Sequence, residues 1–124
     1  MKVIGIAWLG VQTSKVPEMR RFATETLGLE VAFEEPDFVV FSCPSGDQVE
    51  IFGPAGPQPP AQFAHNDVVA GFLVADFDQA CEDLRAAEGV ELIGAPCRTE
   101  GGYAWQHFRA PDGKVFELTF DPSR

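Results

Sequence analysis

With 124 residues, 45% of them apolar and 23% charged, the chain has the size and composition of one globular domain and is too apolar to remain disordered. Its formal net charge of −10 repels phosphate backbones and anionic membrane surfaces, so no nucleic acid and no membrane is expected as a partner. The N-terminal run has one basic residue and a brief apolar stretch broken at Gln12, so neither a signal peptide nor a membrane span is expected there. The odd set Cys43, Cys81 and Cys97 follows no metal-finger spacing, so three structural thiols in a reducing, cytoplasmic compartment are expected.

The first predicted element is an apolar, β-prone strand over Ile6–Val11. It leads to Ser14 and Pro17, which read as the start of a helix over about Val16 to Thr26, with Val16, Met19, Ala23 and Leu27 on one stripe. Gly28 ends that helix, and a short strand, Leu29 to Phe33, follows. The stretch from Val40 to Ile51 then reads as a hairpin around Pro44-Ser45-Gly46. Proline supplies a fixed φ and glycine tolerates a positive one, while alternating strands flank the turn. Residues 54–67, rich in glycine and proline and without periodicity, form a linker in which His65 reads as a surface residue.

The same series then recurs. A strand over Val69–Val74 leads to the cap pair Asp76 and Gln79. A helix over about Phe77 to Ala87 buries Phe77, Ala80, Cys81, Leu84 and Ala87, Gly89 stops it, and a strand over Val90–Ile93 follows. The last hairpin, His107 to Leu118 around Pro111-Asp112-Gly113, lies over Val40 to Ile51 without a gap and matches it at Phe, Pro, Gly and Glu. The expected fold is therefore α+β, one domain over 1–124 built from two tandem βαβββ modules, 1–53 and 68–124, with mixed, cupped sheets forming a cleft.

Strand parity sorts the faces. Phe108, Phe116, Leu118 and Phe120 should meet the second helix, which turns Trp105, His107, Val115, Glu117 and Thr119 the other way. In module one the same parity turns Gln48, Glu50 and Phe52 away from the helix, with Phe38 and Val40 beside them. A carboxylate on an apolar sheet face needs a partner. Glu50 and Glu117 read as metal ligands, as a general acid/base pair, or as carboxylates satisfied by neighbours such as Gln48, Thr119 and His107. His107 beside Glu117 is able to share a proton with it or help it hold a cation.

Leu27-Gly28-Leu29-Glu30, Phe72 to Asp76 and above all Trp105 to Leu118 resemble the vicinal oxygen chelate superfamily, which includes glyoxalase I, extradiol dioxygenases, fosfomycin resistance enzymes and bleomycin resistance proteins. That resemblance implies the two-module fold along essentially the whole chain. In metal-dependent members a His or Gln on each first strand joins a Glu on each last strand. Glu50 and Glu117 match the latter, whereas pairing Val11 with Val74 puts Ile6 and Val69 where His or Gln would stand. The resemblance is therefore nearest to the small metal-free binding members, which implies a homodimer that binds or sequesters a small molecule. Its ligand-binding residues would be Trp8, Phe38, Glu50, Phe52, Trp105, His107 and Glu117, with no cofactor. One alternative is a lyase or dioxygenase-like enzyme holding Ni, Zn, Mn or Fe through Glu50, Glu117 and His107. Another is a metal-free isomerase in which Glu117 and His107 are catalytic and move protons.

Overall fold

The structure, a computed structural model, describes residues 1–58, 63 and 66–124; His65 and the linker residues 59–62 and 64 lie outside the described residues. The strands are β1 (Val3–Gln12), β2 (Glu30–Glu35), β3 (Phe38–Ser42), β4 (Gln48–Phe52), β5 (Val68–Val74), β6 (Glu91–Arg98), β7 (Ala104–Arg109) and β8 (Val115–Phe120). The helices are α1 (Val16–Arg21), a π-helical turn over Phe22–Thr26, and α2 (Phe77–Ala86). The expected α+β class and the βαβββ order of each module are what the chain adopts. Among the described residues no helix is long and apolar enough to cross a membrane.

Two compact units emerge, Trp8–Val69 and Met1–Ala7 with Ala70–Arg124. In the first the strand order is β2-β3-β4-β1, with β2/β3 and β3/β4 antiparallel and β4/β1 parallel. In the second it is β5-β8-β7-β6, again with one parallel pair, β5/β8, and two antiparallel ones. A parallel pair needs a long crossover, and the helix with its flanking strands supplies it in each module.

The hairpins repeat down to single hydrogen bonds. Cys43 N–H donates to Asp47 O at 2.8 Å and Gly46 N–H to Cys43 O at 2.9 Å; their counterparts are Ala110 to Lys114 O at 2.8 Å and Gly113 to Ala110 O at 2.9 Å. Both turn glycines take the positive φ the sequence demanded, 93° at Gly46 and 89° at Gly113.

Each helix packs on one face of its own unit. Val16 and Ala23 meet Val39, Phe41 and Ile51, with Met19, Leu29, Val31 and Val49 around them. In the other unit Phe77, Ala80, Cys81 and Leu84 meet Val74, Ala104, Phe108 and Leu118, with Phe72, Phe116 and Phe120 beside them. Asp76 caps α2 as expected, its Oδ1 accepting from Gln79 N–H at 3.1 Å.

Four expectations need correction. Leu27 is not on the buried stripe but 57% exposed, because the π turn, closed by Leu27 N–H to Phe22 O, adds a residue and rotates Leu27 off the face. Ser14 does not cap α1: the cap position is Lys15, which makes no side-chain cap bond, and Lys15 N–H donates to Thr13 Oγ1 instead. Ala87 is exposed because α2 ends before it in extended backbone. Of the three cysteines, only Cys81 is buried, while Cys97 is exposed on β6.

Candidate functional site

In module one the register places Trp8, Gly10 and Gln12 of β1 beside Gln48, Glu50 and Phe52 of β4, and these beside Ser42, Val40 and Phe38 of β3. Since Val49 and Ile51 pack on the helix side, alternation turns this set the opposite way. Trp8, Phe38, Glu50 and Phe52 thus share one sheet face; parity predicted this for Phe38, Glu50 and Phe52, and the register adds Trp8. Phe38 and Phe52 lie with ring centroids 4.9 Å apart, and Phe33, which is exposed, meets Phe38 edge-on at 6.2 Å.

Gly10 explains how a tryptophan fits here. A Cβ at Gly10 would sit 2.7 Å from Cζ3 of Trp8 and 3.4 Å from Cε2 of Phe52, so the indole lies over this strand and reaches towards Phe52. The residue directly beside Glu50 is therefore a bare backbone with a Trp ring on it. Glu50 itself is half-buried.

Module two builds the corresponding face from Gly71, Trp105, His107, Glu117 and Thr119, with Gly71 beside Glu117 and His107 directly across from it. Glu117 is 6% exposed and Thr119 fully buried. His107 Nε2 stands 2.9 Å from Glu117 Oε2, and Thr119 Oγ1–H donates to Oε1 at 2.8 Å. A carboxylate held by hydrogen bonds on both oxygens is fixed in orientation. Trp105 pairs with Thr119 in register, and the Tyr103 ring lies 6.0 Å from its own.

Gln106, which the sequence reading passed over, secures this arrangement. β6 carries two extra residues between Ile93 and Cys97 relative to β7, with Gly94 at a φ of 69°. The buried Gln106 amide nitrogen donates to the carbonyls of Ile93 at 3.0 Å, Gly94 at 3.2 Å and His107 at 2.9 Å. It thereby ties down the bulge and the backbone that bears His107. Alternation with Trp105 and His107 already turns Gln106 inward, but the carbonyls it binds follow from the irregular register of β6.

The registers also revise the equivalence of the first strands. Gly10 pairs with Glu50 and Gly71 with Glu117, so the counterpart of Val69 is Trp8, not Ile6. Neither side chain offers a lone pair to a metal, since the indole nitrogen is a donor only and valine is aliphatic. Among the described residues no three His, Cys, Asp or Glu side chains converge as a metal site. The donor set does not fit the two-strand metal pattern implied by the resemblance, because each glutamate has glycine beside it and a non-ligand two residues earlier.

Residues 5–118 match the model of the Glyoxalase/Bleomycin resistance protein/Dioxygenase superfamily. No match was found among curated proteins. Among solved structures, methylmalonyl-CoA epimerase from Mycobacterium tuberculosis superposes with a TM-score of 0.70 at 20% identity, over 98% of this chain and 91% of that one. A superfamily member from Vibrio splendidus 12B01 gives 0.64 at 20% identity, over 91% and 96%. A variant of the Streptomyces coelicolor methylmalonyl-CoA epimerase in complex with 2-nitronate-propionyl-CoA gives 0.65 at 19% identity, over 98% and 99%. At these identities the likeness establishes the fold.

Proposed function

The chain belongs to the glyoxalase/bleomycin resistance protein/dioxygenase superfamily, and within it we propose a cytoplasmic protein that binds or sequesters a small cationic aromatic molecule without a tightly held metal. The observation that carries this reading is the module-one face, where Trp8, Phe38 and Phe52 flank Glu50 on the side of the sheet away from the helix. Aromatic faces attract cations through the ring quadrupole, and a neighbouring carboxylate adds charge in a partly desolvated setting. The net charge of −10 raises the local concentration of cations around the whole molecule.

The test compares an aromatic amine with its neutral alcohol and carboxylic acid analogues by calorimetry. The amine should bind best, Glu50→Gln should weaken it roughly tenfold, and Trp8→Ala should weaken all three compounds. Equal affinity for the three analogues defeats the reading. So does stoichiometric metal, found by elemental analysis of protein purified without chelator, that disappears in Glu50→Gln. The protein is further proposed to be a homodimer; the large apolar side chains left exposed on β1, Val3, Ile4 and Ile6, support this, and analytical ultracentrifugation checks it.

The His107–Glu117–Thr119 chain favours a second reading, a metal-free isomerase. A buried carboxylate that holds an imidazole from one side is a proton-transfer arrangement, and its partners make the geometry rigid. Exchange of a carbon-bound proton for solvent deuterium, abolished by His107→Ala and by Glu117→Gln, is the outcome this reading requires.

A further inference from the structure

Where the parallel strands β1 and β4 end side by side, the chain leaves by two routes. β1 runs through Thr13 and Ser14 to α1, and β4 runs through Gly53 to Gln58. Together with Gln12 and Phe52 these connections line an open pocket of about 280 Å³ whose lining carries no charged side chain among the described residues. Its polarity comes from two carboxamides and two hydroxyls, and its flat apolar wall from Phe52.

Both carboxamides have fixed orientations. The Gln58 amide nitrogen donates to the carbonyls of Gly53 at 3.0 Å, Pro54 at 3.1 Å and Gly56 at 3.0 Å, and the Gln12 nitrogen donates to Asn66 O at 2.9 Å and Phe63 O at 3.3 Å. With their nitrogens committed to backbone, the hydrogen-bonding capacity left on both is the amide oxygen, an acceptor. Thr13 Oγ1 accepts from Lys15 N–H, which leaves its own O–H as a donor, and Ser14 adds a second hydroxyl.

The wall is rigid by construction. Asp37, at a φ of 60° in the β2–β3 turn, accepts Gly53 N–H on its carbonyl at 2.8 Å and Ala55 N–H on Oδ2 at 2.7 Å. Gly53 lies so close that a Cβ there would fall 2.1 Å from Asp37 Cγ. A non-glycine residue held in the left-handed region is a local cost that persists only where the surroundings impose it. The repeat supplies an internal comparison. By the registers, Gln12 and Thr13 correspond to Leu73 and Val74, both buried and apolar, so the fold does not require polar residues at these positions.

We propose that this pocket binds an uncharged group that donates hydrogen bonds, such as a primary carboxamide, on a molecule whose flat apolar part lies against Phe52. The acceptors Gln12 Oε1 and Gln58 Oε1 select for N–H or O–H donors, the hydroxyls of Thr13 and Ser14 answer its acceptor, and among the described lining residues no charged side chain pairs with a formal charge. This site lies at the end of the face that carries Glu50 and shares Gln12 and Phe52 with it, but it selects on hydrogen bonding and not on the charge preference proposed for Glu50.

Amide chemical-shift mapping with benzamide, benzoate and benzylamine, which place a neutral, an anionic and a cationic group on one phenyl ring, tests the site. Benzamide should shift Thr13, Ser14, Gly53 and Gln58 in a saturable way and bind there at least about fivefold more tightly than either charged analogue, the equivalent of ~1 kcal/mol for one neutral hydrogen bond. Ser14→Ala, at an exposed position, should weaken benzamide without affecting benzylamine, which has no acceptor, and Phe52→Leu should weaken whatever binds. Absence of shifts at these four amides, or equal binding of all three probes there, overturns the proposal. Shifts confined to Trp8 and Glu50 with benzylamine would leave the cation-binding reading standing while refuting this one.

Discussion

Replacing Gly10 by alanine puts the packing of the module-one face to a quantitative test. The added Cβ would lie 2.7 Å from Cζ3 of Trp8, 3.5 Å from its Cε3 and 3.4 Å from Cε2 of Phe52. Favourable carbon contacts lie at roughly 3.5–4.0 Å, so the first distance is about 1 Å too short. The obstacle is the far edge of an indole ring, which is able to swing away at a rotamer cost of ~0.5–1.5 kcal/mol, and the lost ring contacts bring the total to about 1–3 kcal/mol. For a chain of this size that is a fall in Tm of roughly 4–12 °C. Gly5 is the matched control on the same strand: a Cβ there meets nothing within 4 Å, so Gly5→Ala should stay within about 0.5 kcal/mol of the parent. The chain has two tryptophans, so a Trp105→Phe background leaves Trp8 as the sole indole emitter. Gly10→Ala should then red-shift the emission and abolish binding that depends on Trp8. If both alanine variants melt alike and the Trp8 emission is unchanged, the indole does not lie on Gly10 and the account of this face is wrong.

Three further outcomes are expected. Thr119→Val preserves shape but removes the donor to Glu117 Oε1 in a fully buried position, so it should cost about 1–3 kcal/mol in denaturant melts, and Thr119→Ser should recover most of that. Burial holds the Cys81 thiol above its ordinary pKa, so mass-spectrometric labelling of the native protein should modify exposed Cys97 first and reach Cys81 only on unfolding. Glu34 is held below the usual carboxylate range by its hydrogen bonds to Arg20, and Asp121 by those from Ser123. A depressed carboxylate stabilises the fold above its unfolded pKa and loses that contribution as pH falls through the folded value. The acid limb below about pH 4 should therefore flatten in Glu34→Gln and Asp121→Asn, with Glu34 mattering less as salt rises.

Much of this molecule was legible in the chain itself, and the legible part is local. The Pro-Ser-Gly and Pro-Asp-Gly turns, the Asp76 cap and the helix-stopping Gly28 and Gly89 depend on a few neighbouring residues, so they appear where the sequence placed them, with Gly28 at a φ of 70° and Gly89 at 77°. Strand alternation is equally local. It told the helix side from the other side for Phe38, Glu50, Phe52, Trp105, His107 and Glu117 without any knowledge of which strands pair.

Register, by contrast, is long-range. β1 pairs with β4 in parallel across some forty residues, and hydrogen bonds between distant segments decide that Gly10, not another residue of the same parity, stands beside Glu50. A two-residue slip keeps every side chain on its face, so parity is blind to it, and pairing Val11 with Val74 sets Ile6 against Val69 where Trp8 belongs. The same holds for the π turn that frees Leu27, for Gln106 bonded into the β6 bulge, and for the pocket between Gln12 and Gln58. Sequence determined the repeat and the two glutamates at matching positions. Tertiary structure alone decided which residue of β1 or β5 stands next to each glutamate, because partners in a parallel strand pair are set by pairing across the fold and not by order along the chain.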